Sequence, residues 1–512
     1  MSIRSDLRGS SRGVDQRTDD REEIAPWWTD AIIVGALAAA FAALHIAIPG
    51  VVPSGTDPGG WLAMAKDRFG VEVLAAPAAA YLPGFPVLLG LLLAVTDSVV
   101  AITAAGVISK MALVLAIYLA VRPVGRGYAV AAAVMIGLSG AHGEMYAWGG
   151  FTQQLGTATG IIAVFYLIRC LESRRTVHLV ISAVAVGATL VTHNLIGGLL
   201  VGALGLATVH WLYLTGAGRP EWIRGLRDAA VVALPAAAFV AIHLLLGERA
   251  GRQPSLNPGG LNWAGSVEHT INEAPIPWLV VAVVALAFGT SRKWSGPHAL
   301  TVALGGSWVV VSLVFFLVIG EPRALLLTQM GVVFIAVAVF AELFQAAKRR
   351  NVYARDALAV AGGVLFFAII ASGYTDYDVA TDWYRVVDHE EIAALDQLAR
   401  ASRPGDLVVA SAGHHQNQVG WWVQGYAEVP TYPAGNIEFL ASPQERAQGT
   451  TANLVFESDP SAVAGYLDQI GARFLVVDRR GPGEAWLESE FAMSLRVIDD
   501  SSNLVILELP ES

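Results

Sequence analysis

Long apolar runs follow one another along the sequence between positions 28 and 373. Most of them are roughly 16 to 24 residues long, and an α-helix needs about 20 apolar residues to cross the hydrocarbon core of a bilayer. The chain is 54% hydrophobic and 15% charged, whereas a soluble protein carries about 25% charged residues. The sequence therefore predicts an α-helical polytopic protein whose solvent is the lipid bilayer.

The chain divides into three parts by composition. Residues 1–26 are polar and mixed in charge, which predicts a disordered cytoplasmic leader rather than a cleavable signal peptide. Residues 27–373 form the transmembrane domain, and its first apolar run would act as a signal anchor. Residues 374–512 are acidic and lack a run long enough to span, which indicates a soluble domain of ordinary size. Neither half has the basic patches of a nucleic-acid-binding protein.

The distribution of positive charge predicts the topology. Lys and Arg cluster in short loops on the cytoplasmic side of a membrane. These clusters all lie on one side only if the run 82–95, which is short and contains Pro83 and Pro86, does not cross. We therefore predict about eleven spans, a cytoplasmic N-terminus and an extracytoplasmic tail. The clusters are Arg122/Arg126, Arg169/Arg174/Arg175, Arg219/Arg224/Arg227, Arg292/Lys293 and Lys348/Arg349/Arg350.

The predicted outer loops contain polar and aromatic residues that hydropathy does not explain. A carboxylate near a helix end can accept a proton from an acceptor hydroxyl, and an arginine or a divalent cation can stabilise charge on a leaving phosphate. Aromatic rings can stack on sugars, or can belong to the interfacial aromatic belt. The candidates are Asp57, Trp61 and Tyr81 in the first loop, His142, Glu144, Trp148 and Gln153 in the second, and His193, Arg249 and Arg323 in later ones.

With these residues, the chain resembles the GT-C superfamily of membrane glycosyltransferases. In that fold the first outer loop carries the key acid, here Asp57, and a proline turn follows before the second span, here Tyr81-Leu82-Pro83-Gly84-Phe85-Pro86. The resemblance implies that Asp57 and Glu144 are the catalytic acids. It also implies that Arg323, in Glu321-Pro322-Arg323, contacts the donor phosphate, as Arg249 would from its own loop.

The resemblance leaves metal dependence open. The first loop has a single Asp followed by Pro58, and the second has no Asp-x-Asp motif. A divalent cation such as Mg²⁺ or Mn²⁺, held by Asp57 and Glu144, is one expectation, and catalysis by Asp57 alone is the other.

Simpler interpretations stand beside these roles. Asp57 could cap a helix, Glu144 could pair with a neighbouring Arg or with His142, and Arg323 could snorkel to the interface. His142 and His193 could serve only as hydrogen-bonded loop and turn residues.

The tail alternates helices with strands, which predicts a small α/β domain with a partly parallel sheet. Helices near 388–400 and 461–470 each precede a strand, 406–411 and 473–478, and a hairpin follows at 494–498 and 503–507. The loop after the first strand contains His414, Trp421 and Trp422. They could contact an acceptor or the membrane, or could pack against the transmembrane half.

Together these observations favour a bacterial inner-membrane glycosyltransferase. It would move a pentosyl or hexosyl group from a polyprenyl-phosphate donor to an extracytoplasmic glycan, lipid or protein. A transporter or flippase, and a non-catalytic subunit whose outer domain binds ligands, are the alternatives.

Overall fold

A computed structural model describes residues 27–71, 82–249, 281–283, 285, 294–319, 323–413, 418–435, 443–458 and 460–510. Within these ranges the first part of the chain is a helical bundle. Its helices are α1 (Trp27–Ala47), α2 (Asp57–Arg68), α3 (Gly84–Leu93), α4 (Ser98–Val121), α5 (Arg126–Gly137), α6 (Gly140–Ala147), α7 (Phe151–Ser173), α8 (Thr176–Thr192), α9 (Asn194–Leu214), α10 (Arg219–Arg249), α11 (Gly296–Ile319), α12 (Arg323–Arg350) and α13 (Val352–Tyr384).

In the described ranges, eight helices are long and apolar enough to cross a membrane: α1, α4, α7 and α9 to α13. The shorter apolar helices α5 and α8 fall on two further predicted spans. Most of the remaining predicted span, 276–290, lies outside the described residues. The fold is that of a polytopic membrane protein, as predicted.

Helix α3 occupies the run that was predicted not to cross. It has 10 residues, which make a rod of about 15 Å, half the thickness of the hydrocarbon core. It packs beside α2, α4 and α8. This length agrees with a helix that lies within one side of the bundle.

The predicted span 127–141 is divided into two helices. Helix α5 ends at Gly137, and α6 starts after Ser139, whose hydroxyl accepts a hydrogen bond from the His142 backbone N–H. Ser is a good N-cap, so it starts a new helix where the sequence alone suggested the end of one. The helical chain therefore continues through Ala147, and Glu144 lies on a helix rather than in an irregular loop.

At the opposite end of the bundle, one acid ties three helices together. Asp30 of α1 accepts hydrogen bonds from Arg122 Nε (2.7 Å), from Arg126 Nε (2.9 Å) and from the Tyr118 hydroxyl (2.7 Å). A charge near the membrane is tolerated when it is paired in this way. These contacts fix α1 against α4 and α5 at the end remote from the C-terminal domain.

The C-terminal domain is a five-stranded sheet with helices. Its strand order is β2-β1-β3-β5-β4, with β2, β1 and β3 parallel and β5 antiparallel to both β3 and β4. The mixed sheet and the closing hairpin confirm the predicted α/β domain. Its elements are α14 (His389–Ala401), β1 (Leu407–Ala410), α15 (Gly420–Trp422), β2 (Thr431–Tyr432), α16 (Pro443–Leu454), α17 (Pro460–Gln469), β3 (Ala472–Asp478), α18 (Gly483–Leu487), α19 (Glu490–Ser494), β4 (Arg496–Asp500) and β5 (Leu504–Glu508).

A shared apolar core joins the bundle to this domain. It contains Trp61 of α2, Phe85 of α3 and Tyr146 of α6 together with Trp422 and Phe474 of the C-terminal domain. Helix α13 continues beyond the predicted boundary at 373/374 and ends at Tyr384. The end of the bundle that carries α2, α3 and α6, here called the domain side, is therefore covered by the C-terminal domain.

Candidate functional site

Asp57 is the first residue of α2, on the domain side of the bundle. Pro58 follows it at the start of the helix, where proline is well tolerated. The Asp57 side chain is half-buried. Asp57 therefore lies where the chain, after leaving α1, begins a helix that does not cross the membrane.

The segment before Asp57 lies directly against the loop that follows α6. Gly55 has φ +91°, and a side-chain carbon there would lie 2.5 Å from the Trp148 carbonyl oxygen. Gly149 has φ +92°, and a side-chain carbon there would lie 2.9 Å from Asp57 Cβ. Both positions need glycine, for conformation and for space. The two predicted outer loops are therefore in backbone contact at Asp57.

Hydrogen bonds strengthen this contact. The Ser54 hydroxyl donates to the Ala147 carbonyl, and the Trp61 indole N–H donates to the Gly149 carbonyl, both at 2.9 Å. Trp61 is buried, and its ring packs edge-on against Phe85. Trp61 is therefore buried behind the contact between the two loops and stabilises it.

Glu144, on α6, lies beside the contact between the two predicted outer loops. Its Oε1 accepts a hydrogen bond of 2.9 Å from the Tyr384 hydroxyl. The Tyr384 carbonyl accepts a 2.8 Å hydrogen bond from the Gly55 N–H, and the Tyr384 ring packs edge-on against Trp148 at 6.2 Å. One residue at the end of α13 thus links Glu144, Trp148 and the segment that carries Asp57.

Arg323 begins α12 beside these loops. Leu326, one turn later, packs in an apolar cluster with Ala141, Met145 and Trp148. This packing places the start of α12 against α6. Arg323 itself is half-buried.

The positive charge of Arg323 acts on Asp57 and on His193. Burial raises the pKa of the Asp57 carboxyl to about 7, while the charge of Arg323 opposes this rise. Burial together with the charge of Arg323 lowers the pKa of His193 to about 3. His193 caps α9 and its Nδ1 accepts from the Ile196 N–H. Asp57, Arg323 and a neutral His193 therefore share one electrostatic environment.

His142 of α6 and Gln153 of α7 are both buried. His142 is fully buried, and its Nδ1 lies 3.0 Å from the Ser139 hydroxyl. Gln153 is also buried, in the first turn of α7. The backbone carbonyl of His142 accepts from Lys110 Nζ at 2.9 Å and from Gln154 Nε2 at 3.0 Å. The hydrogen bonds from Lys110 and Gln154 hold α6 in place.

The C-terminal domain covers the site through the segment Gln418–Trp422. The Trp422 indole N–H donates to the Gly55 carbonyl at 2.8 Å, and the Thr56 hydroxyl donates to the Gln418 carbonyl at 2.5 Å. The Trp421 ring lies against Gly60 of α2. Trp422 is fully buried, so in this structure it packs against the bundle.

Three predicted residues have side chains outside the described part of the chain. Tyr81 and His414 lie in ranges that the structure does not describe. Arg249 is the last residue of α10, and only its backbone belongs to the described part.

Sequence reasoning missed Tyr384 and Lys110. Tyr384 lies near the bundle–domain junction, where no motif marks it. Lys110 gave a signal that was available, because a lysine in the middle of an apolar run is costly unless it is buried and bonded.

A divalent cation was expected on Asp57 and Glu144. Within the described ranges, no three His, Cys, Asp or Glu side chains come together as metal ligands would. Mg²⁺ is commonly held by one or two carboxylates, with water and substrate phosphates as its remaining ligands. A cation held by Asp57 and Glu144 therefore stays a prediction.

Comparison with known proteins identifies the fold. No family profile matches the chain, and no curated protein sequence matches it. Its structure superposes on that of ArnT from Cupriavidus metallidurans bound to undecaprenyl phosphate, with a TM-score of 0.56, 14% identity and coverage of 94% of this chain and 98% of that one. The chain has the GT-C fold.

A second solved structure is also similar over most of the chain. The archaeal oligosaccharyltransferase AglB from Archaeoglobus fulgidus, solved with an inhibitory peptide and a dolichol-phosphate, has a TM-score of 0.49 at 14% identity, over 91% of this chain and 72% of that one. The GT-C fold confirms the predicted resemblance at the level of architecture.

Replacing Trp422 with Phe should loosen the C-terminal domain from the bundle. The change removes the indole N–H that satisfies the Gly55 carbonyl, and an unpaired buried acceptor costs about 1–3 kcal/mol. We expect a lower melting temperature in detergent and faster hydrogen exchange at residues 54–60. Trp28→Phe is the control, because Trp28 is exposed at the other end of α1. Equal behaviour of the two variants would contradict this docking of Trp422.

Proposed function

We propose that this protein is a glycosyltransferase that moves a sugar from a polyprenyl-phosphate donor to a hydroxyl-bearing acceptor. The observation that carries the proposal is that Asp57, Arg323 and Glu144 lie beside the same two loops, on the domain side of a GT-C fold. A half-buried carboxyl with a raised pKa, an arginine near it and a second acid are groups that suit such a transfer.

In the proposed reaction Asp57 acts as the general base. The ionised carboxylate takes the proton of the acceptor hydroxyl while the hydroxyl oxygen attacks the anomeric carbon. The bond between the anomeric carbon and the phosphate oxygen breaks, and the electron pair leaves with polyprenyl phosphate. Attack from the face opposite the leaving group inverts the anomeric configuration.

Arg323 would stabilise the leaving phosphate. A guanidinium presents several N–H donors in one plane and suits phosphate oxygens better than an ammonium does. Its position at the start of α12 adds the positive end of a helix dipole, which also favours an anion. The donor phosphate would therefore lie between the first turn of α12 and Asp57.

Glu144 would orient the acceptor or the sugar from the other side of the site. Its hydrogen bond from Tyr384 fixes the carboxylate in one direction. Aromatic Trp148, half-buried beside it, would offer a face to the sugar ring. The lipid tail would lie among the bundle helices, and the acceptor would be a glycan, a lipid or a protein.

The proposed location is the cytoplasmic membrane of a bacterium, with the C-terminal domain outside. The support is that, among the described residues, the basic clusters at the ends of α4, α7 and α12 and at the starts of α5 and α10 lie at the end of the bundle opposite that domain, as the positive-inside rule requires. Labelling of single cysteines introduced at Asp378 and Arg350 in intact cells would test this orientation.

Substituting Asp57 with Asn should abolish transfer. We expect a fall in turnover of about a hundredfold or more, because Asn cannot accept the proton. The assay follows labelled sugar from a panel of polyprenyl-phosphate pentoses and hexoses into lipid, glycan and protein fractions of membranes. Asp378→Asn is the control, since Asp378 is an exposed acid on α13.

Two results would contradict the proposal: near wild-type transfer by Asp57→Asn, or movement of intact labelled donor across the membrane without loss of its sugar. The second result would favour a flippase. A parallel arm with chelator, followed by added Mg²⁺ or Mn²⁺, tests the expectation of a metal.

The pH dependence of transfer should report the Asp57 carboxyl. Because its pKa is raised to about 7 and the base must be ionised, kcat/KM should fall about tenfold per pH unit below 7 and level off above it. The measurement is the pH profile of wild-type protein between pH 5 and 9. A flat profile across pH 6 to 8 would be inconsistent with Asp57 as the base.

A further inference from the structure

The junction between α13 and the C-terminal domain is in direct contact with the candidate site. Tyr384, at the end of α13, hydrogen-bonds Glu144 through its hydroxyl and Gly55 through its carbonyl. A residue that holds both the second acid and the segment leading to Asp57 fixes the separation of the two acids.

The C-terminal domain in turn holds this junction. Arg480 Nη2 donates to the Val386 carbonyl at 2.6 Å, and Arg480 Nη1 donates to the Arg385 carbonyl at 3.3 Å. Arg480 is itself paired with Asp478 at the end of β3, at 2.7 Å. Asp478 is buried and accepts from the Arg480 Nε at 2.9 Å.

The other side of the junction is fixed to the bundle. Arg385 Nη1 donates to the Pro49 carbonyl at the end of the turn after α1. Contacts therefore run without a gap from β3 through Arg480 to residues 385 and 386, and through Tyr384 to Glu144 and Gly55. These hydrogen bonds join partly or fully buried groups, where the low local dielectric strengthens them.

We propose that Tyr384 is a positioning residue that holds Glu144 at its working distance from Asp57, and that the C-terminal domain sets the place of Tyr384 through Arg480. This inference rests on the proposed transferase function. It gives the C-terminal domain a part in catalysis even where it does not contact the donor.

The test removes the Tyr384 hydroxyl and keeps the ring. Tyr384→Phe should lower kcat about tenfold or more while the KM for the polyprenyl-phosphate donor changes less than about twofold, because a misplaced group affects the reacting geometry more than binding. Tyr374→Phe is the matched control, since Tyr374 is an exposed tyrosine on the same helix.

A double-variant cycle separates positioning from a general structural effect. If Tyr384 acts through Glu144, then adding Tyr384→Phe to Glu144→Gln should lower kcat no further. Losses that multiply independently in the double variant would overturn the inference. So would an unchanged kcat per folded molecule in Tyr384→Phe.

Hydrogen exchange provides a readout that does not need activity. We expect faster exchange at residues 53–58 and 140–149 in Tyr384→Phe, and also in Arg480→Lys, which cannot reach both carbonyls. Tyr374→Phe and Arg479→Lys, a neighbour paired with Asp500 near the surface, should exchange as wild type. Unchanged exchange in Tyr384→Phe would overturn the positioning role, whereas faster exchange without any sugar transfer by wild type would overturn only the proposed function.

Discussion

The site depends on backbone packing between two loops that only glycine permits. Gly55 and Gly149 have φ values near +90°, and each lies where an added carbon would meet the other loop at less than 3 Å. This contact places Asp57 against the segment that follows α6. Ser54, Trp61 and Trp422 then fix it with hydrogen bonds to backbone carbonyls.

The electrostatics of the site follow from this packing. A carboxyl that is pressed between two loops and covered by a domain loses water, and its pKa rises to about 7. That value already includes the positive charge of Arg323, which opposes the rise and keeps the group able to ionise near neutral pH. Without the arginine the pKa of Asp57 would be higher, and without burial it would be lower. The pKa of Asp57 therefore depends both on its burial and on its position near Arg323.

The architecture could be predicted from the sequence because its signals are large. Apolar runs, clusters of arginine and the two prolines near α3 led to the bundle and to a helix that does not cross. Alternation in the tail led to the mixed sheet, including the hairpin. These patterns reflect hydropathy and the periodicity of secondary structure, and both can be read from a single sequence.

The contacts within the site were harder to predict from the sequence. Asp57, Glu144 and Arg323 could be proposed from their places in loops, but the break at Ser139 that makes α6 a helix was not predicted. Tyr384 lies 240 residues from its partner Glu144, and no local pattern marks such a pair.

The most direct measurement is a cryo-electron microscopy structure of the protein in lipid nanodiscs with bound polyprenyl phosphate. We predict that the phosphate lies within hydrogen-bonding distance of the Arg323 guanidinium and faces Asp57, with the lipid tail among the bundle helices. A phosphate bound away from Arg323, or at the end of the bundle that carries Asp30, would contradict a donor site built on Arg323 and Asp57.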